Sequence, residues 1–332
     1  MKWDIAGHEW AATLLQQHII REQTRHAYLF SGPPGVGKRS LALRFAQSLN
    51  CVKPPQPGEP CGQCRACLLI ERMQHPDLMV VQAEGEGAIL KIDQVRDLQR
   101  LLSLSPFEAR YRIALLLRFH EANDHAQNAL LKMLEEPPSR AILLVTADSP
   151  EILLPTIVSR CEVLRLRPLA VDGLALELQK RLAVDPGRAS TLAHLASGRM
   201  GYAMRLHADP ELLEARRTWV ADLLDLLPVS RRQRIKYAEQ FSKAGGRERL
   251  RAALTAWLPV WRDLFLSASG SEAPLANLEQ AARLQSLAGK IGLPGVRRRL
   301  DEMEHGLEKL DNTNINAQML AEILMMDWPR LG

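Results

Sequence analysis

YLFSGPPGVGKRSLAL, residues Tyr28–Leu43, decides the fold of this chain. Tyr28, Leu29 and Phe30 form a short apolar run that reads as a buried strand. Gly32, Gly35 and Gly37 follow, and glycine lets the backbone turn its N–H groups inward around a phosphate. Lys38 opens a predicted helix ending near Leu49, whose N-terminus adds partial positive charge to that nest. The spacing is that of the P-loop motif, G-x-x-x-x-G-K-[ST], in every place but the last. Arg39 stands there, and the missing hydroxyl is the one that holds Mg²⁺. Ser40 is no substitute, because one helical step turns a side chain by about 100°. A chance glycine-rich turn would not set strand, lysine and helix in register, so the loop has the form of a nucleotide site. Gly32, Gly35, Gly37 and Lys38 are the candidate residues for ATP or ADP. Arg39 can assist or block that binding, and both readings stand at this point.

Outward from this stretch the same alternation continues. Glu9–Ile20 has apolar residues at helical spacing. Leu78–Gln82, Arg112–Leu117 and Ala141–Thr146 read as strands. Ile92–Leu104 and Ala126–Leu134 read as helices, the second stopped by Pro137 and Pro138. Such alternation predicts a parallel sheet covered by helices on both faces. After Pro168 the strands stop. Val171–Ala183, Ser190–Ala196 and Met200–His207 predict a small helical domain. Further helices are expected at 210–227, 231–244, 247–267, 273–289, 295–310 and 314–326. The predicted class is α/β followed by all-α, with domains at 1–168, 169–208 and 209–332.

With 332 residues the chain can bury a sizeable core in each domain. Charged residues make up 24% and aromatics 5%, with a net charge of +5, which suits a largely helical protein. Mild basicity is compatible with nucleic acid, but Arg231-Arg232 and Arg297-Arg298-Arg299 read as solvated helix faces. No apolar run is long enough to span a membrane and Met1–Gly7 has no signal-like segment, so a cytoplasmic location is expected.

Four of the five cysteines fall in residues 51–67. Cys51, Cys61, Cys64 and Cys67 have the pattern C-x9-C-x2-C-x2-C, whose two-residue gaps let thiolates converge on one ion. Zn²⁺ is the expected metal. Four thiolates leave no open coordination position, so the site is structural. A redox pair or inert buried thiols are the alternatives. Cys161 lies apart and reads as a core thiol.

Taken together, the P-loop, the cysteine insertion, NALLKMLEEPP (Asn128–Pro138) and SRC (Ser159–Cys161) resemble the bacterial clamp-loader subunits of the AAA+ class. That family holds the tau/gamma motor subunits and the delta-prime subunit of DNA polymerase III. The resemblance runs from about His8 to about His207; beyond it only length and helical character match. It implies a P-loop AAA+ domain with a zinc-binding insertion, a helical lid and a C-terminal helical collar. In the motor subunits the third strand ends in Asp-Glu, for Mg²⁺ and the attacking water. The family's spacing from Asn128 puts those positions at Leu117 and Arg118. Glu121 and Asp124 lie downstream and read as an exposed helix start. The motors' phosphate-sensing arginine corresponds to Gly201, with Arg199 close but off register.

Three departures in one centre imply the delta-prime type, without ATPase activity of its own. The resemblance further implies that Arg160 of SRC acts in trans on the γ-phosphate of a neighbouring motor subunit. It implies a hetero-pentamer with tau/gamma and delta, which loads the beta sliding clamp on primed DNA. In Asn128–Leu134, Ala129, Leu130, Met133 and Leu134 are expected to pack inward, with Lys132 outward toward DNA, a neighbouring subunit or solvent. An active motor ATPase and a zinc-stabilised nucleic-acid-binding module are the competing readings. ATP hydrolysis by the purified chain favours the first, and salt-sensitive DNA binding favours the second.

Overall fold

The computed structural model describes residues 3–83 and 89–330; the extreme ends of the expected domain boundaries lie outside them. The chain forms two compact units, one of Met1–Leu169 with Arg199–Gly201, the other of Ala170–Gly198 with Tyr202–Gly332.

The first unit is built on five parallel strands: β1 (Ala27–Ser31), β2 (Leu78–Val81), β3 (Arg112–Leu116), β4 (Ala141–Ala147) and β5 (Glu162–Arg165), in the order β2-β3-β4-β1-β5. Alternate residues of the central strands feed two different cores, which is why they read as continuous apolar runs. Tyr28, Phe30, Ile113, Leu115, Ile142 and Leu144 pack on one face with Leu15 and Phe45. Those last two come from α1 (Glu9–Ile20) and α2 (Lys38–Asn50). Leu29, Ala114, Leu116, Leu143 and Val145 pack on the other face with Val95, Leu98, Leu130 and Met133. These four come from α4 (Ile92–Leu102) and α5 (Asp124–Glu135); α3 (Arg65–Glu71) lies between α2 and β2 in sequence, and α6 (Pro155–Val158) precedes β5. Helix α5 begins two residues earlier than its periodicity suggests because Asn123 caps it, accepting from the Ala126 amide at 2.8 Å. Leu130, Met133 and Leu134 are buried, Ala129 half-buried and Lys132 exposed.

The second unit is helical: α7 (Val171–Leu182), α8 (Pro186–Ala196), α9 (Met200–Ala208, whose first two residues belong to the first unit), α10 (Pro210–Leu226), α11 (Arg231–Ala238), α12 (Gly246–Ser269), α13 (Ala281–Ile291), α14 (Leu293–Asn312) and α15 (Ala317–Met326). Trp257, Trp261 and Trp328 sit at the centre of its core with leucines from α10, α12 and α15. Several expectations change here: the helix expected from Ser190 starts at Pro186, capped by Asp185, and the one expected over 231–244 ends at Ala238. The helix expected over 273–289 starts only at Ala281, because the buried Asp263 carboxylate takes the amides of Ala276 and Asn277 (2.9 and 2.8 Å) and holds that segment out of helical geometry. Of the arginines read as solvated, Arg299 is buried, its guanidinium turned along the helix onto Glu302. Among the described residues no helix is long and apolar enough to cross a membrane.

Candidate functional site

The P-loop leaves the end of β1 and returns into α2. Gly32 enters it with φ 146°, and an added Cβ would lie 2.3 Å from the Leu166 carbonyl oxygen, so only glycine fits. Gly35 and Gly37 also have positive φ, at 81° and 113°. The loop is pinned from three sides. Gly32 N donates to the carbonyls of Ala147 (3.2 Å) and Asp148 (3.1 Å) at the end of β4. The buried His8 ring donates from Nε2 to Val36 O at 2.9 Å. Gly201 N donates to Gly35 O at 2.8 Å, at the start of α9.

Lys38 is 9% exposed. Its ammonium donates to the Gly32 carbonyl and, at 2.7 Å, to Asp148 Oδ1. Burial lowers the Lys38 pKa below its ordinary value, against the opposing pull of the Asp148 charge. On the other side of the same carboxylate, His120 Nε2 lies 3.6 Å from Asp148 Oδ2. Arg39 and Ser40 both face solvent.

The two positions after β3 follow a strand that pairs with β4. Leu117 is buried in the core. Arg118, at φ 51°, donates its amide to Thr146 Oγ1 at 2.8 Å and pairs with Glu121 at 3.3 Å. Glu121 is therefore half-buried in a short 3-10 turn instead of exposed at a helix start; Asp124 is the exposed first residue of α5. Neither leucine nor arginine ligates Mg²⁺ or polarises water. Gly201 packs so closely on the loop that an added Cβ would come within 3.0 Å of Gly35 O.

The structure thus brings the loop glycines, Lys38, Gly201, Asp148 and His120 together, with Arg118 tied to Thr146 two residues before Asp148. Asp148 and His120 escaped the sequence reading. Asp148 follows β4, and only the strand order, which pairs Ser31 with Ala147, reveals that the end of β4 abuts the loop. A carboxylate one residue past a buried strand is the available signal, since ligands in parallel α/β sheets gather at the carboxyl ends of the strands.

Cys51, Cys61, Cys64 and Cys67 converge, their sulfurs all within 4.8 Å of one another. This is close to the spacing around one tetrahedral ion, about 3.8 Å for metal–sulfur bonds of about 2.3 Å. Backbone amides already point at the sulfurs: Cys61 N at Cys51 Sγ (3.3 Å) and Cys64 N at Cys61 Sγ (3.2 Å). Burial alone would push the Cys61 thiol up, but the Gln63 and Cys64 amides outweigh it and bring it down to about 6. Burial raises Cys51 and Cys67. A charged ion is what makes four such thiols compatible as thiolates, so the cluster can bind a metal ion. The insertion is braced by Trp3, whose indole donates to Gly58 O at 2.9 Å, and by Gln47, whose amide donates to Cys67 O at 2.7 Å. Cys161 is apart from the cluster, with its thiol raised by burial to about 12.

Arg160 lies between α6 and β5. Its guanidinium is exposed, donates to Thr156 O at 3.1 Å and pairs with Glu135 Oε1 at 3.1 Å, at the end of α5.

A delta′ subunit of DNA polymerase III from Pseudomonas aeruginosa is 33% identical over 97% of this chain and 97% of its own length. The chain belongs to the DNA polymerase III delta′ family. The delta′ subunit of Bacillus subtilis agrees at 28% identity, over 94% of this chain and 93% of that one. A family model described as DNA polymerase III, delta subunit, matches residues 7–170. The tau subunit of Escherichia coli is 34% identical, but over 61% of this chain and 32% of its own. Full-length likeness is thus to delta′, and the likeness to tau is partial. The P-loop of this chain keeps all three glycines and the lysine, and that lysine is already paired with Asp148.

Proposed function

We propose that this delta′ chain is the non-motor subunit of the sliding-clamp loader and supplies Arg160 in trans to the ATP site of a neighbouring tau/gamma subunit. One observation carries the reading. An exposed arginine, held at the surface by the Glu135 carboxylate, the Thr156 carbonyl and the Ser159 hydroxyl, stands in a chain that carries Leu117 and Arg118 where the family's spacing places the magnesium and water residues. Phosphoryl transfer depends on positioned charge and metal, so this centre splits no ATP by itself. A guanidinium suits the trans role because it stays charged and offers a planar fork of donors to phosphate oxygens.

In this reading the assembly is a hetero-pentamer with tau/gamma and delta that places the beta clamp on primed DNA. Residues 1–168 form the AAA+ domain, 169–208 the lid and 209–332 the collar that joins the subunits. The four cysteines hold a structural Zn²⁺, supported by an all-sulfur donor set with no position left for substrate.

The decisive experiment reconstitutes the complex with Arg160→Ala. DNA-stimulated ATP hydrolysis should fall while the subunits still co-elute, since such a finger is worth about 10³–10⁵ in rate at the site it serves. An unchanged rate removes the trans role. Turnover of ATP by the purified chain alone removes the non-motor reading.

A further inference from the structure

Lys38 is committed before any ligand arrives. A P-loop lysine exists to meet the outer phosphates of a nucleotide. Here the Lys38 side chain is a tenth exposed and its ammonium sits 2.7 Å from Asp148 Oδ1, while the Asp148 side chain is a third exposed. The carboxylate is no passing contact of a loose loop. The backbone carbonyl of Asp148 accepts from Gly32 N at 3.1 Å, and the carbonyl of Ala147 accepts from the same amide. The far oxygen of the carboxylate faces His120 Nε2 at 3.6 Å. Main chain and side chain of one residue are therefore both fastened to the phosphate loop.

An acceptor built into the chain competes with a free one at high effective concentration. A phosphate reaching Lys38 has two options. It displaces the carboxylate and leaves it unpaired, or it sits beside it, with like charges about 4–5 Å apart in a partly buried cleft. Both are unfavourable.

We propose that Asp148 is a tethered stand-in for phosphate, which closes the P-loop to nucleoside di- and triphosphates. Removing that one charge opens a site made of Lys38 and the loop amides. The inference rests on reading the loop as a degenerate nucleotide site but is independent of Arg160. It also differs from the loss of hydrolysis, because Arg39, Leu117 and Arg118 bear on magnesium and water, whereas Asp148 bears on binding.

The test uses the full chain without partners. Wild type, Asp148→Asn, Asp148→Ser and Asp148→Asn combined with Lys38→Ala are titrated with inorganic pyrophosphate and with ADP, with and without Mg²⁺, by calorimetry. Either single Asp148 variant should bind at least about tenfold more tightly than wild type, as expected for deleting one like charge at this range. The double variant should lose the gain. Equal affinity of wild type and Asp148→Asn overturns the proposal, as does a gain that survives Lys38→Ala. A second readout needs no variant. In the wild type, Lys38 should resist an amine-acylating reagent that labels exposed lysines such as Lys132, read by mass spectrometry; labelling of both at similar rates overturns the pairing. None of these outcomes bears on the Arg160→Ala experiment, so the two readings fail separately.

Discussion

At the scale of single residues, a buried carboxylate and a loop glycine each impose a strict local constraint. Asp77, fully enclosed, accepts the amides of Phe107, Glu108 and Ala109 at 2.6, 2.9 and 2.9 Å and lies 3.5 Å from Arg112. Burial would raise its pKa; the three amides and the arginine outweigh burial and hold it below the ordinary carboxylate value. A carboxylate with a depressed folded-state pKa stabilises fully above its unfolded pKa of about 4, and that contribution fades as pH falls through the lower folded value. The denaturation midpoint of the wild type should therefore drop steeply below about pH 4. Asp77→Ala should cost about 3 kcal/mol at neutral pH, since it leaves three part-buried amides and the nearby Arg112 guanidinium without this carboxylate, and should flatten that acid limb; urea melts at several pH values check both. Gly32→Ala should be at least as damaging to the first unit, because its Cβ would run into the Leu166 carbonyl. A thermal midpoint close to wild type would mean the loop has room it does not show. Of these residues the glycine was legible, since its spacing alone marks it. Asp77 and Asp148 were not, because their partners come from segments far away in sequence.

At the scale of elements, the P-loop strand and helix, α1 and the central strands follow the sequence pattern to within a residue or two. Their apolar runs have one physical solution, burial on both faces of a parallel sheet. Elements held by polar contacts are where the pattern fails. The 3-10 turn at Leu278–Gln280 delays α13 under the pull of Asp263, and β5, with Leu164 as its one fully buried side chain, is too short to announce itself. The second unit has a polar fastener of its own. Arg234 on α11 is 1% exposed and donates to the carbonyls of Leu226 and Leu227 at the end of α10 and of Met325, Trp328 and Pro329 at the end of α15. One guanidinium thus satisfies orphan carbonyls of two helix ends, where a cation is also favoured by the helix dipoles. Arg234→Met should destabilise the helical unit by about 3–5 kcal/mol. Arg234→Lys should recover little of that, because an ammonium is a point donor and cannot span five acceptors. Near-complete rescue by lysine in a chemical denaturation series would assign the stability to charge instead of geometry.

At the scale of the whole molecule, each unit owns a separate hydrophobic core, so unfolding need not be a single event. The cysteine cluster belongs to the first unit alone. Purified chain should carry about one equivalent of zinc, which metal analysis checks, and a strong chelator or Cys64→Ser should lower the transition of the sheet-containing unit. The transition of the helical unit should stay in place. Calorimetry showing both shifted together would mean the cores unfold as one. What the sequence made legible was which side chains stand at the family's positions: Leu117 and Arg118 directly after β3, and Arg39 directly after Lys38. What it could not convey was how thoroughly the surrounding atoms have closed over those positions. Leu117 is now core, and a carboxylate there would need burying among apolar side chains. Gly201 is now seated on the Gly35 carbonyl, where any longer residue must first push the phosphate loop aside. If the non-motor reading proposed above holds, a carboxylate at 117 or a longer residue at 201 costs stability before it yields any turnover, and the packing itself then resists a change toward a motor.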